Sequence, residues 1–172
     1  MQDRERSMLL AKVVLVAIVL TWVPLAMAAE PYAKAFEEWV LTCPDGTATP
    51  KFCGVITSGD GEKGAWIKVH VTFVEPDASL VMSFVVPPEA KLRKDITVSY
   101  AGRASPFRLI CSPKACIAFW VMEKAQLADL VLTNEFAVEY KPWPTAGIRF
   151  AIPTAGLREA LLELATIMKS NR

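Results

Sequence analysis

Residues 66–74 read Trp-Ile-Lys-Val-His-Val-Thr-Phe-Val, and the polarity alternates: Ile67, Val69, Val71 and Phe73 lie on one side, Lys68, His70 and Thr72 on the other. A period of two is that of an extended strand with one face buried; a helix would scatter those four apolar side chains around its axis. Period-two or wholly apolar runs recur at 38–43, 53–57, 79–86, 96–100, 107–111, 117–122, 135–140 and 148–152. Short strands in this number, separated by turn residues, predict a mainly β chain folded as a sandwich or barrel. Gly59-Asp60-Gly61, Glu75-Pro76-Asp77, Pro87-Pro88 and Pro142-Trp143-Pro144 are the expected breaks, since each disfavours a continuing ladder.

Two stretches read as helices. Lys124 to Leu130 is rich in Ala, Leu, Lys and Gln and predicts a short helix joining two strands. From Thr154 to Ser170, Leu157, Ala160, Leu161, Leu164, Ala165 and Met168 recur at helical spacing, with Arg158, Glu159, Glu163 and Lys169 elsewhere on the wheel. Thr154 is the expected N-cap, and the apolar stripe must lie against a sheet or close the end of a sandwich.

The first 28 residues are of another kind. Arg4, Arg6 and Lys12 precede the apolar run Val13 to Val23, and Ala26-Met27-Ala28 forms a small-x-small cleavage pattern. The run is about half the roughly 20 residues that a spanning helix needs, so it predicts a cleaved secretory signal rather than an anchor. The product would be a single domain over 29–172, periplasmic or secreted, with no transmembrane span after cleavage. The whole chain of 172 residues carries 19 Lys+Arg against 18 Asp+Glu. Without a long block of either sign, nothing supports a nucleic-acid partner bound by counterion release.

Four cysteines follow the signal: Cys43, Cys53, Cys111 and Cys116. An even number in an exported chain predicts disulfides. Three pairings are possible. Pro113 can start a turn within Cys111-Ser-Pro-Lys-Ala-Cys116, which favours local closure and leaves Cys43 to pair with Cys53. The spacings match no usual zinc pair, and no metal is expected.

Candidates for catalysis are few. His70 is the only histidine, and its place on the polar side of a strand predicts exposure to solvent. No Gly-x-Ser-x-Gly elbow, phosphate loop, dinucleotide fingerprint or metalloprotease histidine pair occurs, so no cofactor is implied. The tightest acidic pairs, Glu37-Glu38, Asp60-x-Glu62 and Glu75-x-Asp77, lie at strand ends and read as solvated turns. Lys91, Arg93 and Lys94 form a short basic cluster of the same bland kind. Among the tryptophans, Trp143 between two prolines is the one expected at the surface, and hence the candidate partner contact.

The order of features resembles one family of exported Gram-negative bacterial proteins. Trp39-Val-Leu-Thr-Cys43, a second cysteine at 53, the paired strands from Ile67 to Val86, and the Val86-Pro87 step leading to Leu92 and Ile96 carry the first part of the likeness. Pro106-Phe107-x-x-x-Cys111-x-x-x-x-Cys116-x-Ala118 and Ala155-Gly156-Leu157-x-x-Ala160-Leu161 carry the rest. Together they resemble the invasion associated locus B family over nearly all of the mature chain. Ala115 stands where the family has Gly, and Leu157 where an aromatic is common. The resemblance implies an immunoglobulin-like antiparallel β-sandwich, an envelope location and no established catalytic residues. The expected function is non-catalytic binding of a protein partner in the envelope or on a host surface. The alternatives are a small periplasmic hydrolase using the acidic turns and a structural subunit of an envelope complex.

Overall fold

The computed structural model describes residues 30–46, 52–61, 65–74, 79–88, 95–141 and 147–170. Among these are eleven strands: β1 (Tyr32–Phe36), β2 (Trp39–Cys43), β3 (Gly54–Asp60), β4 (Trp66–Val74), β5 (Ser79–Val86), β6 (Asp95–Tyr100), β7 (Arg103–Arg108), β8 (Ile110–Cys111), β9 (Cys116–Met122), β10 (Glu135–Tyr140) and β11 (Ile148–Pro153). Two helices, here α1 (Lys124–Val131) and α2 (Leu157–Ser170), complete the described elements. Every strand pairing is antiparallel, in a seven-stranded sheet of order β1-β2-β3-β4-β5-β9-β8 and a four-stranded sheet of order β11-β10-β6-β7. The two sheets form a sandwich, as the alternating runs predict.

The second layer is built from two kinds of element. β11 packs on β3 and β7 on β9, so the small sheet covers the inner face of the large one from β3 to β9. Helix α2 packs on β1, β2 and β3 and covers the remainder. Of the predicted stripe, Leu157, Ala160, Leu161 and Leu164 are buried, while Ala165 and Met168 are half-buried. Between the sheets, Phe84 meets Phe136 edge-on with ring centres 6.5 Å apart, while Trp120 lies 5.0 Å from Tyr100 and 5.5 Å from Phe107. Such tilted aromatic contacts add to the burial of the rings themselves.

Both disulfides form in the expected pairing. Cys43–Cys53 ties the end of β2 to the start of β3, and Cys111–Cys116 closes the β8–β9 hairpin. The turn between the latter pair has Pro113 at its second position and is held by Ser112 N–H donating to the Ala115 carbonyl at 2.9 Å.

Four local expectations need correction. The strand expected over 107–111 is two strands: β7 belongs to the small sheet and β8 to the large one, with buried Leu109 at the crossing between them. Pro106 is tolerated because β7 is an edge strand. Gly59 and Asp60 do not end β3 but pair with Ile67 and Trp66 inside it. Thr154 is not the cap of α2: its hydroxyl donates to the Thr133 carbonyl, and the helix starts at Leu157 after Gly156 at φ 81°. The strand β1 was not expected. Its sequence Tyr-Ala-Lys-Ala-Phe is a weak strand former, and it is held by pairing along all of β2 and by Glu163 of α2, which accepts from Lys34 at 3.0 Å.

Candidate partner-binding surface

The inner face of the large sheet is covered; among the described residues nothing covers its outer face. Side chains on that face fall into rows set by strand register. One row runs Val40, Ile56, His70, Ser83 and Phe119 across β2, β3, β4, β5 and β9. A second runs Ser58, Lys68, Val85, Ile117 and Ile110. A third contains Thr72, Val81 and Val121. With strands about 4.8 Å apart and alternate residues about 6.8 Å apart, these rows occupy about 19 by 14 Å.

An antiparallel sheet with a free face ordinarily carries polar side chains there. Here Phe119 is 52% exposed, Val121 64% and Ile110 67%, with Val81, Val85 and Ile117 half-buried beside them. Single exposed apolar residues are common, but a contiguous patch on one face points to an interaction surface. The sequence does hold a signal for it. Residues 117–122 are apolar at every position, as expected of a strand whose two faces both meet apolar surroundings.

A cavity of about 700 Å³ opens on this face toward the β1–β2 turn. Its wall includes Glu37, Glu38, Val40, Ile56, His70 and Val85. Phe36 pairs with Trp39, so Glu37 and Glu38 form a two-residue hairpin loop, and Glu37 has φ 50°. Left-handed backbone at a primed hairpin turn is the ordinary place for glycine, and a glutamate there carries strain.

The expectation that His70 stands on a polar, solvated face is also corrected. It is half-buried, and its imidazole lies directly over Gly54, where any Cβ would strike the ring. Burial lowers its pKa from 6.5, with no neighbouring charge contributing. Glu37, Glu38 and Lys68 are the charged groups that line the same cavity. Catalysis of the Ser-His-Asp kind needs a carboxylate that orients the imidazole; among the described residues no side chain hydrogen-bonds it. Asp60 lies at the far end of β3, and no group of three or more His, Cys, Asp and Glu among the described residues could hold a metal. Glu62, Glu75, Asp77, Lys91, Arg93, Lys94 and the proposed contact Trp143 lie outside the described residues.

A lowered histidine pKa has a defined sign. The folded chain favours the neutral ring, so this contribution to stability is complete above 6.5 and is lost as pH falls through the lowered folded value. Wild type should therefore lose more unfolding free energy on acidification below pH 6.5 than His70→Asn. Urea titrations at several pH values check this; parallel pH profiles for the two chains would show that His70 is fully solvated.

The profile of the family described as invasion associated locus B (IalB) protein matches residues 39–165. The chain belongs to the IalB family. The matched span runs from the first residue of β2 into the third turn of α2 and takes in both disulfides. Among solved structures, this IalB-family chain is similar to the crystal structure of invasion associated protein B from Bartonella henselae, with 15% sequence identity and a TM-score of 0.65. The alignment covers 80% of this chain and 99% of the other. A TM-score of 0.65 at that identity shows a shared fold and nothing more. No curated protein matches the chain. Among the described residues no helix is long and apolar enough to cross a membrane.

Proposed function

We propose that this IalB-family protein is exported to the periplasm or beyond, with a mature chain beginning at Ala29, and acts without catalysis by binding a protein partner in the envelope or on a host surface. The observation that carries the proposal is the apolar outer face of the seven-stranded sheet, which no described residue covers and which is centred on Phe119 and Val121. The signal-like segment over 1–28 and the two disulfides support export, because disulfides persist in oxidising compartments. The hydrolase alternative would use the acidic turns, of which Glu62, Glu75 and Asp77 lie outside the described residues, and no described side chain hydrogen-bonds His70. A structural subunit would use the same outer face and differs only in the permanence of its contacts.

Crosslinking in intact cells, followed by mass spectrometry, tests the proposal. Phe119→Asp should reduce partner capture by about tenfold or more, as loss of an aromatic anchor does. Its unfolding midpoint should stay near that of wild type, because the side chain is already half in water. Trp143→Ala, measured in parallel, tests the second expected contact. Undiminished capture by the Phe119→Asp chain would remove the outer face from consideration. Loss of phenotype in folded His70→Ala, Glu75→Gln or Asp77→Asn chains would favour the hydrolase.

A further inference from the structure

We propose that the cavity beside the β1–β2 turn binds a short extended peptide segment of the partner, carrying a lysine or arginine next to aliphatic side chains. This rests on the outer face being a docking surface and assigns the chemistry of one end of it. Size comes first. The row Val40, Ile56, His70 and Ser83 crosses four strands, about 14 Å, which is the reach of about four extended residues. The cavity is a half-open groove, and its volume of about 700 Å³ falls in the range of about 300 to 1,000 Å³ typical of ligand clefts. A globular partner or a second copy of the chain would instead need about 800 Å² per side for a stable interface, more than this cavity offers.

Charge determines what the segment carries. Val40, Ile56 and Val85 give the cavity an apolar floor, and Glu37 and Glu38 stand at its end on the hairpin turn. Neither carboxylate is ion-paired among the described residues. The cation lining the cavity, Lys68, has its ammonium 6.0 Å from the centre of the Trp66 ring and is engaged there. The acidic end therefore suits a cationic side chain. Glu37 also holds a left-handed backbone that glycine would adopt without strain, and strain of this kind collects at ligand clamps. Between floor and rim, the half-buried His70 ring lines the cavity.

Fluorescence anisotropy with the full exported chain and two labelled tetrapeptide amides, Leu-Val-Leu-Arg and Leu-Val-Leu-Glu, tests the assignment. The basic peptide should bind at least about tenfold more tightly than the acidic one. The double variant Glu37→Gln, Glu38→Gln should bring the two within about twofold while leaving the unfolding midpoint in place. Equal binding of the two peptides, no binding of either, or a preference that survives the double variant would overturn the inference. If the peptides fail while Phe119→Asp still abolishes partner capture, this inference falls and the docking face stands. If the basic peptide binds as described while Phe119→Asp leaves capture intact, the cavity assignment stands and the wider face does not.

Discussion

Trp39→Ala is expected to destabilise the folded protein by about 3 to 5 kcal/mol, the range for removing a large aromatic from a core. Trp39 is fully buried at the start of β2, where α2 covers the large sheet. Its indole N–H donates to the Pro153 carbonyl at the end of β11, at 2.9 Å. Truncation would leave a void and deprive that carbonyl of a partner, and the second effect alone costs about 1 to 3 kcal/mol in a buried setting. Trp39→Phe separates the two, since it refills most of the volume without restoring the hydrogen bond; it should lie between wild type and Trp39→Ala. Urea unfolding with an unchanged slope measures both. A loss below about 1 kcal/mol for Trp39→Ala would show that β2 is not anchored through this ring. The effect reaches the candidate site, because Trp39 lies between Glu38 on the cavity rim and Val40 on its floor.

Elements with a strong local pattern were legible. The alternation at 66–74 gives β4 with its inner face correctly assigned to Ile67, Val69 and Val71. The spacing from Leu157 onward gives the buried stripe of α2. Where a neighbour far along the chain decides the outcome, the local pattern fails. The alanines of β1 gain their strand from β2 and α2, and residues 107–111 divide because Leu109 is buried at the crossing between the sheets. The candidate site suffers most from this limit. Alternation puts His70 opposite the core, and polarity alone then suggests a wet surface. What surrounds the ring depends on register: Gly54 and Ile56 approach from β3 and Ser83 from β5. Only when five strands align do isolated residues such as Val40, Ile56, Val85 and Phe119 become one apolar face. The apolar runs at 80–82 and 117–122 were a partial signal, since outward positions in them are as apolar as inward ones.

Gly156→Ala should be comparably damaging, about 2 to 6 kcal/mol, for reasons that lie in the backbone. Gly156 has φ 81°, a conformation that a side chain resists, and an added Cβ would run into the carbonyl group of Phe36. The same Cβ would come within 3.1 Å of the Glu37 Cβ. The start of α2 is thus seated against the hairpin turn that bears Glu37 and Glu38, and displacing one displaces the other. Glu37→Gly should act in the opposite direction, stabilising by about 0.5 to 1 kcal/mol through relief of its positive φ. It should also reduce the cost of Gly156→Ala, because one of the two obstructing groups is gone; a double-mutant cycle reads that coupling. Strictly additive effects would mean that the turn and the helix start do not share the contact. If the carboxylates hold a cationic segment, the more stable Glu37→Gly chain should bind the basic peptide less well. A glutamate kept at a glycine-favouring position is then explained by what its side chain binds, at the expense of what its backbone would prefer.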